Sequence, residues 1–365
     1  MDPVEIAAGR LQLRPWTVEG EQALLRGEND PDVRRWTGVT VPFTAQDAQS
    51  FFVDAAERWE AGTAATWAAH HALSGEVLGA VGLYGIADGS ANLGYWCLPE
   101  ARGTGAALSM TAAVCRFGFD ALELDRLAWG CNVGNWPSRA LAQKLGFTVE
   151  GVSRRAFLQR GTRVDDWSGS LLATDPMTDT RPLPSRPDLS DGVVSLRRWL
   201  PSDAPDVARA CDDPQTARWL PLPSPYAVSD GVIYVEELTP RLWADGESAE
   251  QAVVDAVSGE LLGACGLKLR QRALGVGEVG YWTAPWARGR GVASRAAALV
   301  ADWGLSSLGL SRVELYADVH NAASERAALR AGFRREGVAR AARRDRHGVA
   351  QDMVLLSRCR GDDAV

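Results

Sequence analysis

The 365-residue sequence is written twice. Leu93-Gly94-Tyr95-Trp96 returns as Val279-Gly280-Tyr281-Trp282, and Ala101-Arg102-Gly103-Thr104-Gly105 as Ala287-Arg288-Gly289-Arg290-Gly291. Asn135 and Ser138 match Asn321 and Ser324, and Gly146-Phe147 matches Gly332-Phe333. Upstream, Leu13-Arg14 pairs with Leu196-Arg197, and Asp30-Pro31 with Trp36 pairs with Asp213-Pro214 and Trp219. The spacing drifts by only a few residues, which short loop insertions absorb. A period this long exceeds that of any stacking repeat, so the chain is a duplicated domain rather than a solenoid. Each copy is long enough to bury its own core without disulfides or metal.

Between the copies, Pro176, Pro182, Pro184 and Pro187 stand among Ser, Thr and Asp. Proline fixes φ and removes a backbone donor, so this stretch reads as a semi-rigid linker without strand or long helix. The expected division is a first domain over 1–175, a linker over 176–190 and a second domain over 191–362. The net charge of −7 argues against a general nucleic-acid or membrane-surface binder. The six cysteines form no C-x-x-C pair and have no histidine cluster beside them, so no metal site is expected. Scattered single thiols suit a reducing compartment. The first residues lack the basic and apolar regions of a signal peptide, and no apolar run is long enough to span a bilayer. A cytoplasmic protein is expected, as a monomer that is a pseudo-dimer of its domains, or as a homodimer.

Within each copy the hydrophobic period alternates. Arg10–Arg14 and Val193–Arg197 read as first strands, and Ala45–Ala61 as a helix with Phe51, Phe52, Ala55 and Trp59 at 3–4-residue spacing. Hairpins turn at Ser74-Gly75 and Ser258-Gly259. The Gly-Tyr-Trp strands lead through short loops into Ala-rich helices, then a strand, then a helix closed by Gly146 or Gly332. The fold class expected is α+β in layers, a mixed and mostly antiparallel sheet flanked by helices.

The loops after the Gly-Tyr-Trp strands carry the chemistry. They are Arg102-Gly103-Thr104-Gly105-Ala106-Ala107 and Arg288-Gly289-Arg290-Gly291-Val292-Ala293. A strand–loop–helix junction presents unpaired N–H groups at the positive end of a helix dipole, and glycine lets an anion approach them. No Gly-Lys-Ser/Thr closes either loop and no Gly-x-Gly-x-x-Gly is present, which excludes a Walker loop and a dinucleotide fingerprint. A plain tight turn is the bland alternative, but two copies with the same downstream partners disfavour it.

Gly-Tyr-Trp-x-x-Pro, Arg-x-x-Gly-x-Ala, Asn-x-x-Ser and Lys144-Leu145-Gly146-Phe147 together resemble the GNAT superfamily of N-acetyltransferases, most of all its RimJ/RimL branch. The resemblance covers nearly the whole chain outside the linker and implies two tandem GNAT domains. In such domains the fourth and fifth strands splay apart around the pantetheine arm of acetyl-CoA. It implies that Arg102 to Ala107 and Arg288 to Ala293 cradle the pyrophosphate, and that Asn135 and Asn321 contact the cofactor arm. Ser138 and Ser324 then stand near the sulfur as proton donors, or simply cap their helices. Oxyanion donors are implied at Cys97-Leu98 and Thr283-Ala284.

The resemblance places a general base at Glu278, which alternation sets on one strand face with Gly280 and Trp282. The first copy has Asn92 there, an amide that takes no proton. The second domain is therefore expected to be the catalytic one, with His70 and His71 as conceivable substitutes in the first. Trp36 and Trp219 are candidates for lining the substrate cleft. The arginines of 334–346 read as a solvated face or a contact for an acidic group. The function expected is transfer of an acetyl group from acetyl-CoA, without metal, to a primary amine of a small molecule or peptide N terminus by direct attack. The alternatives are another donor (succinyl-CoA or aminoacyl-tRNA) or an acyl-CoA-binding protein with one degenerate domain.

Overall fold

The computed structural model describes residues 1–345 and 347–362. The chain divides into two compact units, Met1–Arg181 and Pro182–Val365. The first holds strands β1 (Ile6–Ala8), β2 (Leu11–Pro15), β3 (Ala64–His71), β4 (Val77–Ala87), β5 (Ser90–Cys97), β6 (Arg126–Asn132), β7 (Thr148–Gln159) and β8 (Thr162–Leu172). Its helices are α1 (Glu21–Glu28), α2 (Pro31–Trp36), α3 (Ala45–Ala61), α4 (Ala106–Asp120) and α5 (Trp136–Lys144). The second unit holds β9 (Leu189–Ser190), β10 (Val194–Arg197), β11 (Ser248–Asp255), β12 (Leu261–Lys268), β13 (Val276–Thr283), β14 (Arg312–Asp318), β15 (Arg334–Arg344) and β16 (Ala350–Cys359). Its helices are α6 (Ala204–Cys211), α7 (Pro214–Trp219), α8 (Val228–Val232), α9 (Thr239–Ala244), α10 (Val292–Ser306) and α11 (Ala322–Arg330), with a π-helical segment at Ile233–Leu238.

Each unit is one mixed sheet with helices on both faces. The strand orders are β1-β2-β3-β4-β5-β6-β8-β7 and β9-β10-β11-β12-β13-β14-β16-β15. Only β5–β6 and β13–β14 are parallel. Alternation along β3 explains the layering: Trp67 and Ala69 join the core under α4, while Ala68 joins Trp16, Leu24, Ala48 and Phe52 on the opposite face. Trp67 is held edge-on between Trp59 of α3 (5.1 Å) and Phe117 of α4 (5.4 Å), so one side chain ties two helices to the sheet. Helix α3 starts on a Thr44–Asp47 capping box and stops at Gly62 in the left-handed region. Trp67→Ala is expected to cost the first unit about 3–5 kcal/mol. A urea titration should show its transition alone moving to lower denaturant.

The structure adds what periodicity did not reveal. A long antiparallel hairpin, β7–β8 and β15–β16, closes each unit. The arginine-rich run is mostly β15, an edge strand. Arg334 pairs with Asp362 (3.4 Å) and Arg335 with Glu325 (3.0 Å); Arg346 lies outside the described residues. Arg155 and Ala341 take positive φ (50° and 53°), and their N–H groups donate to Asp165 (2.8 Å) and Asp352 (2.7 Å). These bulges set the register of the residues after them, Phe157 and Arg343.

The proline-rich stretch is packed rather than free. Thr180 donates to the Gln143 carbonyl (3.1 Å), and Met177 packs on the first core. Leu183 is fully buried in the second core, and Arg186 lies over the Trp243 ring (4.1 Å). The short β9 begins only after Pro187, where backbone donors are again available.

Candidate active site

In both units the parallel pair comes apart. Pairing between β5 and β6 covers only Ser90–Asn92 with Arg126–Ala128, although both strands continue. Pairing between β13 and β14 covers only Val276–Glu278 with Arg312–Glu314. Asn92 and Glu278 are thus the last paired residues, and a wedge opens from Leu93 and Val279 onward.

At the wide end of each wedge lies a glycine loop. Gly103, Gly105, Gly289 and Gly291 all have positive φ (76°, 90°, 77° and 77°). Gly105 and Gly291 are the N-caps of α4 and α10, and neither helix has a side-chain cap or an acidic residue in its first turn. A Cβ on Gly103, Gly105 or Gly289 would meet nothing within 4 Å. The space is therefore open, and the first-turn amides of Ala106-Ala107 and Val292-Ala293 have no side-chain acceptor beyond a long contact from Ala106 to Thr104 Oγ1 (3.4 Å). This arrangement fits a diphosphate.

The loop arginines do something else. Arg102 pairs with Asp30 and with Asp32 (2.7 Å), and donates to the Cys97 carbonyl. Arg288 pairs with Asp213 and donates to Gln215 (2.9 Å) and Thr216 (2.9 Å). Asp30 and Asp213 are the N-caps of α2 and α7. Arg288 holds the Asp213 carboxyl below the usual range; at Asp30 desolvation works upward, and the bonds from Arg102 and the backbone outweigh it. The guanidinium groups expected on the pyrophosphate therefore lock a short helix to the loop. Thr104 donates to the Ala101 carbonyl (2.7 Å), and Arg290 lies 3.4 Å from Asp255.

Further along the wedge, the helix cap is Asn rather than Ser. The side chains of Asn135 and Asn321 accept from the backbone N–H of Ser138 (3.3 Å) and Ser324 (3.1 Å). This frees the serine hydroxyls, and each meets a tyrosine from across the gap. Ser138 Oγ lies 2.9 Å from Tyr95 OH and accepts from Trp129 Nε1 (3.1 Å). Ser324 Oγ lies 3.2 Å from Tyr281 OH. Burial pushes the Tyr281 hydroxyl up to about 12 and Tyr95 higher still, so both keep their protons at neutral pH. Both tyrosines stood inside the Gly-Tyr-Trp motif, but only the three-dimensional wedge brings them to the serines.

Two expected oxyanion donors are already spent. Leu98 N–H donates to the Leu78 carbonyl (2.9 Å) and Ala284 N–H to the Leu262 carbonyl (2.9 Å). Leu98 and Ala284 are also fully buried. Of the four residues, Cys97 and Thr283 are left to offer an amide.

The two wedges differ sharply at the apex. Glu278 pairs with Lys268 (2.9 Å) on the neighbouring strand and with Arg343 (2.5 Å) after the β15 bulge. Desolvation raises its carboxyl, but the two cations outweigh that and leave it below its ordinary value. Arg343 also lies over the Tyr316 ring (5.0 Å). In the first unit the register-equivalent residues are Asn92, Tyr84 and Phe157, so every charge is gone. The Tyr84 ring lies flat on the sheet, 2.8 and 3.0 Å from where Cβ atoms on Gly94 and Gly82 would stand. The carboxylate near this apolar end is Glu28 of α1, which accepts from Trp96 Nε1 (2.8 Å) and which burial raises. His70 and His71 sit away from the apex, bonded to Gly75 and Ser74 at the hairpin turn.

In the second unit the loop, cap and tyrosine line one cavity of about 370 Å³. Arg288, Gly289, Gly291, Val292 and Ala293 form one wall, and Tyr281, Thr283, Asn321 and Ser324 another. Trp219 lines it as well. No group of three His, Cys, Asp or Glu able to hold a metal occurs among the described residues. No helix among them is long and apolar enough to cross a membrane.

The family model described as an acetyltransferase (GNAT) domain matches twice, over residues 10–148 and 194–334. The uncharacterized N-acetyltransferase YoaA of Bacillus subtilis is 28% identical over 158 residues, 43% of this chain and 89% of that protein. The uncharacterized N-acetyltransferase p20 of Bacillus licheniformis is 24% identical over 147 residues, 40% of this chain and 82% of p20. Among solved structures, Mycobacterium smegmatis RimJ in complex with CoA-disulfide aligns with a TM-score of 0.42 and 24% identity. It covers 47% of this chain and 86% of RimJ.

Proposed function

The chain belongs to the acetyltransferase (GNAT) domain family and is an acyltransferase, and we propose on that premise that its second unit moves an acetyl group from acetyl-CoA to a primary amine. The acceptor proposed is a small molecule or a peptide N terminus, and attack is direct. The observation that carries this reading is the single cavity joining the glycine loop to Ser324 and Tyr281; Glu278 stands at the closed end of the same wedge, outside the residues that line the cavity.

The amides of Gly289 to Ala293 would hold the diphosphate, and Asn321 and Thr283 would flank the arm. The donor thioester supplies the electrophilic carbonyl, and the chain's own groups position it and move protons. An α-amino acceptor, with a pKa near ~7.7–8.0, is partly neutral at physiological pH. As the new C–N bond forms, the nitrogen becomes positive and readily sheds a proton. A carboxylate held ionised by Lys268 and Arg343 suffices to receive it, directly or through water. At the other end, Ser324 donates to the departing sulfur and regains a proton from solvent, while Tyr281, protonated at neutral pH, donates to the Ser324 carbonyl (3.0 Å) and holds that serine in place. The Thr283 amide is the remaining donor toward the oxyanion.

The first unit keeps the loop of Arg102 to Ala107 and the Asn135/Ser138 pair, but it has Asn92 and a tyrosine-covered floor. We assign it coenzyme binding without transfer. All six thiols are free, which suits a cytoplasmic setting. Calorimetric titration with acetyl-CoA is expected to give two sites per chain, and thiol release is expected to require an amine. Absence of saturable acetyl-CoA binding would sink the reading.

A further inference from the structure

The sheet row that carries Gly280 continues through Gly266 to Glu250 on β11. Two glycines in adjacent strands leave a bare patch of backbone, and the Glu250 carboxylate lies on it. A side chain at Gly266 would collide with that carboxylate, while Gly280 has Lys268 Nζ 3.9 Å from where its Cβ would stand. Glu250 therefore shares a sheet face with Lys268, Glu278 and Trp282, at the edge of the apolar cluster of Trp199, Tyr226, Ala252 and Ala264.

Its electrostatic position is unusual for a carboxylate there. Ser248 Oγ donates to it (2.7 Å), and no ion pair reaches it among the described residues. Lys268, the nearest cation on that face, is taken by Glu278 at 2.9 Å. Arg186 reaches only the Glu250 backbone carbonyl (3.1 Å). The other titratable groups around it are Glu278, Tyr234 and Cys265, none of which supplies positive charge. Desolvation holds its carboxyl above the ordinary glutamate value. A partly desolvated anion without a cation is costly unless a ligand completes it. The first unit has Thr66 at this register and the Tyr84 ring over its glycine row, so it offers no such charge.

We propose that Glu250 recognises the charged nitrogen of the acceptor, making the second unit selective for amines that arrive as ammonium cations. This rests on the reading of the second unit as the transferring one and names the class of amine it takes. Glu250 holds the ammonium over the Gly266–Gly280 row, on the sheet face it shares with Trp282, which also lines the cavity. It is a binding residue: the ammonium gives up its first proton to solvent before attack, which yields the neutral amine, and Glu278 receives the second proton, released as the C–N bond forms.

The probe is n-butylammonium, titrated by calorimetry against the full chain saturated with coenzyme A. Saturable binding is expected at pH 7.5, weakened about tenfold or more in E250Q. Binding should also weaken as pH falls, because protonation removes the negative charge; in E250Q that dependence should vanish. E250Q is expected to fold. A carboxyl raised in the folded state favours folding below its unfolded pKa and loses that contribution as pH rises through the folded value, so the amide relieves a cost at neutral pH. Should E250Q fail to fold, the wild-type pH series decides alone. Absent binding, equal affinity in E250Q, or pH-independent binding by the wild type overturns the proposal. Loss of coenzyme A binding would instead overturn the functional reading beneath it.

Discussion

Gly291→Val is expected to remove one of two acetyl-CoA sites and to lower turnover at least about a hundredfold, whereas Gly105→Val removes the other site and leaves turnover in place. Gly291 has φ 77°, where a side chain costs roughly 1–2 kcal/mol. The new side chain meets little protein, since Ser294 Oγ at 3.8 Å is its only near neighbour. It stands instead over the amides that open α10. Losing two hydrogen bonds to a charged group, at about 1.5–3 kcal/mol each, exceeds a hundredfold in affinity. Circular dichroism and the two unfolding midpoints separate a lost site from a lost fold. The opposite pattern, with Gly105→Val silencing the enzyme, would move catalysis to the first unit.

The second large effect concerns Glu278. Glu278→Gln keeps the shape of the side chain and removes its charge, so Lys268 and Arg343 lose their shared partner. A drop in kcat of about 10²-fold is expected, with little change in the KM for acetyl-CoA. The pH profile gives an independent check. Because the two cations hold the Glu278 carboxyl below its ordinary value, it stays ionised through mildly acidic pH. Glu278 should therefore add no acid limb to wild-type kcat until pH falls below the ordinary glutamate range, well beneath the limb set by protonation of the acceptor amine itself, while kcat/KM falls further through Glu250. Asn92→Glu is expected to confer no activity on the first unit, because its carboxylate would face Tyr84 and no lysine. An unchanged kcat in Glu278→Gln would remove that residue from the mechanism.

Some of this was legible in one dimension because it depends on local geometry. Helix α3 matches its 3–4-residue apolar spacing from Ala45 to Ala61, and the hairpins turn at the Ser-Gly pairs. The glycine loops could be read because positive φ at a strand–helix junction restricts the residue type. Arg102 and Arg288 misled for the opposite reason. Their partners, Asp30 and Asp213, lie some seventy positions upstream, and spacing within a motif says nothing about such a pair. Ser138 and Ser324 looked like caps because they open a helix, yet Asn135 and Asn321 take that place and free the hydroxyls.

The amino-acid order alone determined the twofold architecture, the mixed sheet and the location of the glycine turns that open the two long helices, since repetition, hydrophobic period and glycine conformation are properties of neighbouring residues. Tertiary structure decided the rest. It chose which carboxylate is clamped by cations and which is left bare, which serine meets a tyrosine, and which glycine floor an aromatic ring covers. Those outcomes depend on strand register and on the point where two parallel strands part, and both are set by contacts between residues far apart in the chain.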